Sequence, residues 1–293
     1  MPGDRDVSVI IPYYNRDEFI DEAVRSVLAQ TLQPLEIIIV NDCSRESSRR
    51  YLDRYAGVCR ILDLEKNVGL AGSRNAGIRI ARGRFVALLD DDDIWLAEKL
   101  EVQRAYMEEH PSCPAVTCWV TAFFADKPDD LWVQFDANPI RLSQALNEWY
   151  WAVPSTLMIR TGALRAVGGF NPRFRECEDR EFMIRFCAAG YSIEGIPRSL
   201  VRFRRTGQSC LSGRKWRMYR VHMRIVWLHR ALFFRVYGIR GILNFLLATL
   251  RKATEQTRYV EGAVRLLLRV IPPNWQTRPG YEEPVLCDAG EHA

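Results

Sequence analysis

Apolar residues fall in short runs along the first ninety positions: VSVII at 7–11, EIIIV at 36–40, RILDL at 60–64 and FVALL at 85–89. Between them lie stretches of helical spacing at about 17–30, 46–56 and 70–82. Strand alternating with helix predicts a sheet of parallel strands joined by helical crossovers. EIIIV and FVALL are apolar throughout and do not alternate, which predicts strands covered on both faces. The expected fold class is α/β, a doubly wound, mostly parallel sheet flanked by helices. In such sheets ligands bind beyond the carboxyl ends of the strands. The unusual polar residues fall at those ends: Tyr14 and Asn15 after the first run, Asn41 and Asp42 after the second, Asp90 to Asp93 after the fourth.

The pattern changes further on. A helix is expected at about 95–109, stopped by His110 and Pro111, then a strand at 115–121 and a loop at KPDD. A helix near 141–149, a strand at LMIR, the turn GGFNPRF and a helix at about 178–189 follow. No linker-like run divides residues 1–212, so they are read as one domain, with one half at about 1–110 and a second at about 111–212. Residues 213–271 read as a basic amphipathic helical module, and the Pro-rich stretch 272–293 as a flexible tail.

Charge sharpens this division. Residues 198–271 hold 17 Lys and Arg against Glu255 and Glu261, whereas the rest of the chain holds 24 against 34 acids. The module is also rich in apolar residues, but His229, Arg230, Arg235 and Arg240 interrupt every window long enough to span a bilayer. Helices lying on a membrane surface fit that composition, with packing against the acidic body as the alternative. A nucleic-acid groove would not need so much aliphatic surface. The eight cysteines show neither a CxxC pair nor a zinc-like spacing and are read as reduced thiols. Together with an N-terminus that lacks the pattern of a signal peptide, this places the expected site of action in the cytoplasm, at the inner face of the cell membrane.

Four consecutive aspartates repel one another, at roughly 1 kcal/mol per pair about 4 Å apart in water and more near a low-dielectric wall. A hard divalent cation, Mg2+ or Mn2+, sharing its shell with a ligand phosphate would offset that repulsion. The loop KNVGLAGSRNAG at 66–77 matches neither GxxxxGK[ST] nor GxGxxG, which argues against an ordinary P-loop NTPase or nicotinamide enzyme. Arg74 within it has the planar fork suited to a phosphate. Glu178 and Asp179 begin a helix, where acids commonly cap.

The segments VSVIIPYYNRDEFIDEAVRSVLAQT, EIIIVNDCS, NVGLAGSRNAGIRIARGRFVALLDDDDIW and VGGFNPRFRECEDREFMIRF, in that order and spacing, resemble the family-2 inverting glycosyltransferases of the GT-A fold over about residues 7–210. The resemblance implies transfer of a sugar from a nucleoside-diphosphate donor to an acceptor hydroxyl, on a saccharide or a lipid-linked saccharide, in cell-surface polysaccharide or glycolipid synthesis. It implies that Pro12 and Tyr14 lie against the base, that Asp42 hydrogen-bonds it, and that Arg74 faces the diphosphate. It further implies that Asp90 and Asp91 lie near the ribose and the metal's waters, that Asp92 ligates the metal, and that Asp179 is the catalytic base. The run of four aspartates leaves the metal register open by one residue. Two departures stand out: Asn41 where relatives often have aspartate, and Thr206 where many have a histidine. Trp149, Tyr150 and Trp151 are a candidate sugar platform. Two rival readings remain, a metal-dependent phosphohydrolase or nucleotidyltransferase and a noncatalytic sugar-nucleotide binding module. The first would call for further ligands, yet His110, His222, His229 and His292 all lie away from the motifs.

Overall fold

A computed structural model of the chain describes residues 5–124, 127–135, 139–147, 152–205, 215–239 and 242–243. Trp149 to Trp151, Thr206, the rest of the helical module and the tail lie outside the described residues.

The four apolar runs form β1 (Val7–Tyr13), β2 (Glu36–Asn41), β3 (Arg60–Asp63) and β4 (Phe85–Leu88), all parallel, in the order β3-β2-β1-β4. The crossovers are α1 (Asp17–Leu28), α2 (Glu46–Tyr51) with a 3-10 turn at Leu52–Tyr55, and α3 (Gly69–Ile80). Strand periodicity divides the core in two. Ile10, Ile38, Val40, Val86 and Leu88 face one side, packed with Ala76 and Ile78 of α3. Val9, Ile11, Ile37, Ile39 and Phe85 face the other, against Ile20, Val24 and Val27 of α1. Helix α3 lies close on β1 because Gly77 has no side chain: a Cβ there would stand 2.5 Å from Ile10 Cγ2. That close approach brings the start of α3 to the carboxyl ends of β1 and β2.

The sheet continues through β8 (Met158–Arg160), β6 (Ala115–Phe124), β9 (Glu194–Arg205) and β5 (Ile94–Trp95), with β7 (Lys127–Phe135) beside β6. Here antiparallel pairs join the sheet, β4 to β8, β8 to β6, β6 to β7 and β9 to β5, while β6 and β9 are parallel. Helices α4 (Lys99–Glu109), α5 (Leu142–Leu146), α6 (Thr161–Ala166) and α7 (Glu178–Ala188) cover it.

Three strands differ from the expected pattern. Ile94 and Trp95 are the short strand β5 and not a helix start, because they pair with Arg202 and Val201 of β9. KPDD opens β7 and is not a loop; shifts in register around Phe123 absorb its Pro and Asp residues. The third, β9, was not expected at all. A shift between Ile196 and Ser199 sets its Pro197 at an irregularity, where a residue without an N–H is tolerated.

Helix α8 (Lys215–Leu228) and a helical stretch at 230–239 follow. Ile225, Val226, Phe233, Val236 and Tyr237 enter the core beside Phe182 and Phe186 of α7. Trp227, Leu228, Phe234 and Ile239 stay exposed, Trp227 at 71%. The part of the module that is described therefore packs on the body with one face and carries apolar side chains on another. No described helix is long and apolar enough to cross a membrane.

Candidate active site

The carboxyl ends of β1 and β2 are tied to each other. Asn15 and Cys43 adopt left-handed backbone angles, φ 54° and 58°, which non-glycine residues rarely do without compensating contacts. Asn15 Oδ1 accepts the Arg45 N–H at 2.9 Å, and the Asn15 N–H donates to Ser44 Oγ at 3.2 Å. Asn41 donates through Nδ2 to Asp63 Oδ1 at 2.7 Å and accepts the Ser44 N–H on Oδ1 at 3.1 Å. An amide suits both partners; a carboxylate at this position would face that of Asp63, which accounts for Asn41. Asp42, buried, accepts the N–H groups of Val68 at 2.7 Å and Gly69 at 2.9 Å. It thereby takes up free donors at the start of α3.

Beyond β4 the four aspartates form a tight turn, closed by the Asp93 N–H on Asp90 O at 3.2 Å. The turn overrides the alternation of a strand. Asp93 points inward and accepts Ser155 Oγ–H at 2.5 Å and the Arg204 N–H at 3.0 Å; burial first, then Asp92 and Asp90, hold its carboxyl well above the usual range. Ser155, in a buried 3-10 turn at Pro154–Thr156, also accepts the Asp90 N–H at 3.0 Å, so one hydroxyl shapes both ends of the acidic turn. Asp91 and Asp92 share one cation: Arg16 Nη1 lies 3.2 Å from Asp91 Oδ1 and 2.5 Å from Asp92 Oδ2. Burial and the neighbouring Asp92 push Asp91 up to about 8 despite Arg16. Asp92 is also raised, through burial and Asp90, with Arg16 opposing.

Arg74 stands behind this turn with its side chain fully buried. Nη2 donates to Asp90 Oδ1 at 2.6 Å and Nη1 to Glu178 Oε1 at 2.7 Å. Burial works against its charge, but the two carboxylates outweigh burial and keep it protonated. Its terminal nitrogens are thus committed to carboxylates. Glu178 opens α7 after Cys177, a third left-handed residue with φ 55°. Next to it Asp179, half-buried, accepts the Arg180 N–H at 2.7 Å. Its carboxyl is pushed up to about 7, by burial first and by Glu178 second, which is the range in which a carboxylate is effective as a base near neutral pH.

A cleft of about 590 Å3 opens over these strand ends. Pro12, Tyr14, Asp42, Asp90, Asp91 and Asp92 line it, and Tyr14 is 48% exposed. Arg74 and Asp179 are not in its wall; they connect to it through Asp90. The wall also contains Arg16, Arg175, Arg204 and Arg217. The polar residues marked by the sequence pattern include Tyr14 and Asn15 but not Arg16, which follows them directly. Arg204 is buried and donates to Glu22 Oε2 at 2.7 Å and Asp92 O at 2.8 Å. Among the described residues no three His, Cys, Asp or Glu side chains stand together as a ready-made metal cage.

The family profile described as Glycosyl transferase family 2 matches residues 8–168. TuaG of Bacillus subtilis (strain 168), named as a teichuronic acid biosynthesis glycosyltransferase, is 30% identical over 216 residues, covering 72% of this chain and 83% of its own. Two solved structures share the fold. S. aureus TarS 1-349 in complex with UDP-GlcNAc superposes with a TM-score of 0.65 at 19% identity, over 92% of this chain and 78% of that one. The mannosyltransferase PcManGT from Pyrobaculum calidifontis, in complex with GDP-Man and Mn2+, gives 0.58 at 18% identity, over 93% and 83%. The profile spans more than half the chain and takes in the acidic turn and both strand-end loops, so the chain belongs to glycosyltransferase family 2 and is a glycosyltransferase.

Proposed function

We propose that the chain inverts the sugar's configuration as it moves it from a nucleoside-diphosphate donor to an acceptor hydroxyl, with Asp179 as the base. The observation that carries this reading is the chain of contacts from Asp90 in the donor cleft through Arg74 to Glu178, the neighbour of a carboxyl poised near neutrality. Asp179 takes the proton of the acceptor hydroxyl as its oxygen bonds to the anomeric carbon. The bond from that carbon to the diphosphate breaks on the opposite face, and its electron pair leaves with the nucleoside diphosphate. Tyr14 and Pro12 offer an apolar surface to the base, and Asp42, an acceptor only, suits a ring N–H.

The acidic turn fits Mg2+ or Mn2+ through a shared shell. Asp92 and its neighbour Asp91 would supply hard oxygens whose mutual repulsion a cation would relieve, with the donor diphosphate and water as the further ligands it would need. When bound, such an ion neutralises charge on the leaving diphosphate. The donors in the TarS and PcManGT complexes, and Mn2+ in the latter, support this reading.

The acceptor is a saccharide, free or lipid-linked, met at the cytoplasmic face of the membrane. Residues 215–239 hold six Lys and Arg and no acid, and their exposed Trp227, Leu228, Phe234 and Ile239 suit an interfacial position. Arg217 of α8 lines the cleft, which supports a basic element beside the bound donor. The decisive experiment follows the anomeric configuration of the product by NMR and the release of nucleoside diphosphate with and without an acceptor alcohol. Acceptor-dependent release with inversion is expected; retained configuration, or release indifferent to acceptor, overturns the reading.

A further inference from the structure

We propose that Arg16 is a resident counter-ion of the acidic turn, which occupies Asp91 and Asp92 until a donor diphosphate draws its guanidinium away and frees them for the cation. The inference rests on the metal-dependent reading above. Its starting point is a contrast among three arginines at the turn. Arg74 is fully buried between Asp90 and Glu178. Arg204 is nearly so, with a side chain 6% exposed that is held by Glu22 and the Asp92 carbonyl. Arg74 cannot leave without stranding a buried charge, and Arg204 is pinned at two points, on a carboxylate and on a backbone carbonyl.

Arg16 is built differently. Its side chain is 45% exposed, and a single nitrogen, Nη1, serves both Asp91 Oδ1 and Asp92 Oδ2. That nitrogen lies between the two carboxylates, where a cation shared by them would lie. Nε and Nη2 make no hydrogen bond within the described residues, so half of the guanidinium fork is open in a cleft that Arg16 itself lines. An open fork is the geometry that receives a phosphate in bidentate fashion. The backbone beneath it is fixed: Asn15 holds its left-handed angle through Arg45 and Ser44, and α1 begins at Asp17. The side chain can therefore exchange partners without moving the strand end.

Partner exchange couples the two ligands. A cation arriving alone must displace Arg16 and leaves its guanidinium without an anion. A diphosphate arriving alone offers Arg16 a partner but exposes Asp91 and Asp92 to each other. Arriving together, each supplies what the other displaces, so each binds more tightly in the presence of the other, by the same factor in both directions. Arg16 in this scheme contacts the carboxylates before the donor arrives and the diphosphate afterwards.

The test is Mn2+ titration followed by EPR at fixed ionic strength, without donor and with UDP, on the full chain, on Arg16→Met and Arg16→Gln, and on Arg175→Met as a control that removes another cleft charge. Circular dichroism checks that each variant is folded. Both Arg16 variants should bind Mn2+ without UDP about tenfold more tightly than the wild type, Arg175→Met should stay within about threefold, and the enhancement by UDP should shrink only in the Arg16 variants. Equal donor-free affinity in Arg16 variants and wild type overturns the inference while leaving the metal reading intact, as does an equal gain in Arg175→Met. Absence of Mn2+ binding in every protein even with UDP overturns the metal reading itself.

Discussion

Arg74→Met removes a guanidinium with an exposure of zero and strands two carboxylates, Glu178 at 8% side-chain exposure and Asp90 at 20%. Methionine fills much of the volume and keeps the apolar contact with Phe170, over whose ring the guanidinium lies 5.2 Å from the centroid, so the loss is mainly electrostatic. Breaking a buried pair by deleting one partner costs roughly 3–5 kcal/mol. At roughly 2–4 °C per kcal/mol for domains approaching this size, Tm should fall by about 6–20 °C. A second effect has a definite sign. Asp179 is lifted to about 7 by burial and by Glu178, with Arg74 opposing; without Arg74 its carboxyl rises further. The base is active when ionised, so the acidic limb of kcat/KM moves to higher pH. Differential scanning calorimetry and a pH profile of transfer read the two effects separately. Arg74→Met/Glu178→Gln should recover a good part of the stability, because it removes the more buried of the two stranded charges together with its partner. A single variant that loses under about 1 kcal/mol, or a double variant less stable than the single, would refute the view of Arg74 as the balance for these carboxylates.

Asp179→Asn should lower transfer by about 10²- to 10⁴-fold and leave UDP binding, measured calorimetrically, close to wild type; parallel loss of both would make Asp179 structural. Its raised carboxyl stabilises the fold when protonated, a contribution present below about pH 4 and lost as pH rises through about 7, so the same variant should melt higher than wild type at pH 8. Asp92→Asn should cost both donor affinity and turnover while the fold survives, and full activity of Asp92→Asn, or of the wild type in EDTA, would remove its metal role. Trp227→Ser/Phe234→Ser, two exposed changes, should weaken co-sedimentation with anionic liposomes at low salt and leave Tm within a degree or two; undiminished sedimentation would mean that this face does not meet the membrane.

What could be read from the sequence follows from how local each signal is. β1, β2 and β4 are recognisable because every residue in them is buried, and continuous apolar runs bounded by polar turns carry that information directly. β9 is the opposite case. Its burial alternates irregularly and its arginines look like surface charge, yet Arg202 and Arg204 each lie 4.7 Å from the centroid of the Phe123 ring. Their partners are far away in the sequence, as are those of Arg74, whose burial depends on Glu178, 104 positions on. The aspartates signalled a binding turn, but only the fold separates Asp93, anchored to Ser155, from the three that face the cleft. Arg16 had a sequence cue in its position after a strand end; its role as partner to Asp91 and Asp92 did not, because nothing local places it across from residues 75 and 76 positions away.

The late return of β9 bears on the order in which the protein is made. The N-terminal strands and helices pair with close neighbours in sequence and can form while the chain is still being synthesised. Ile94 and Trp95, however, find their strand partners only at Arg202 and Val201, Asp93 takes its backbone donor from Arg204, and Glu22 waits 182 positions for its arginine. A nascent chain that has emerged only as far as α7 already contains every aspartate of the turn and the proposed base, but has no strand to fix the turn's far side. The cleft over the strand ends is consequently finished late: a chain still emerging from the ribosome cannot complete it before Arg204 of β9, and Arg217 of α8 in its wall, are free.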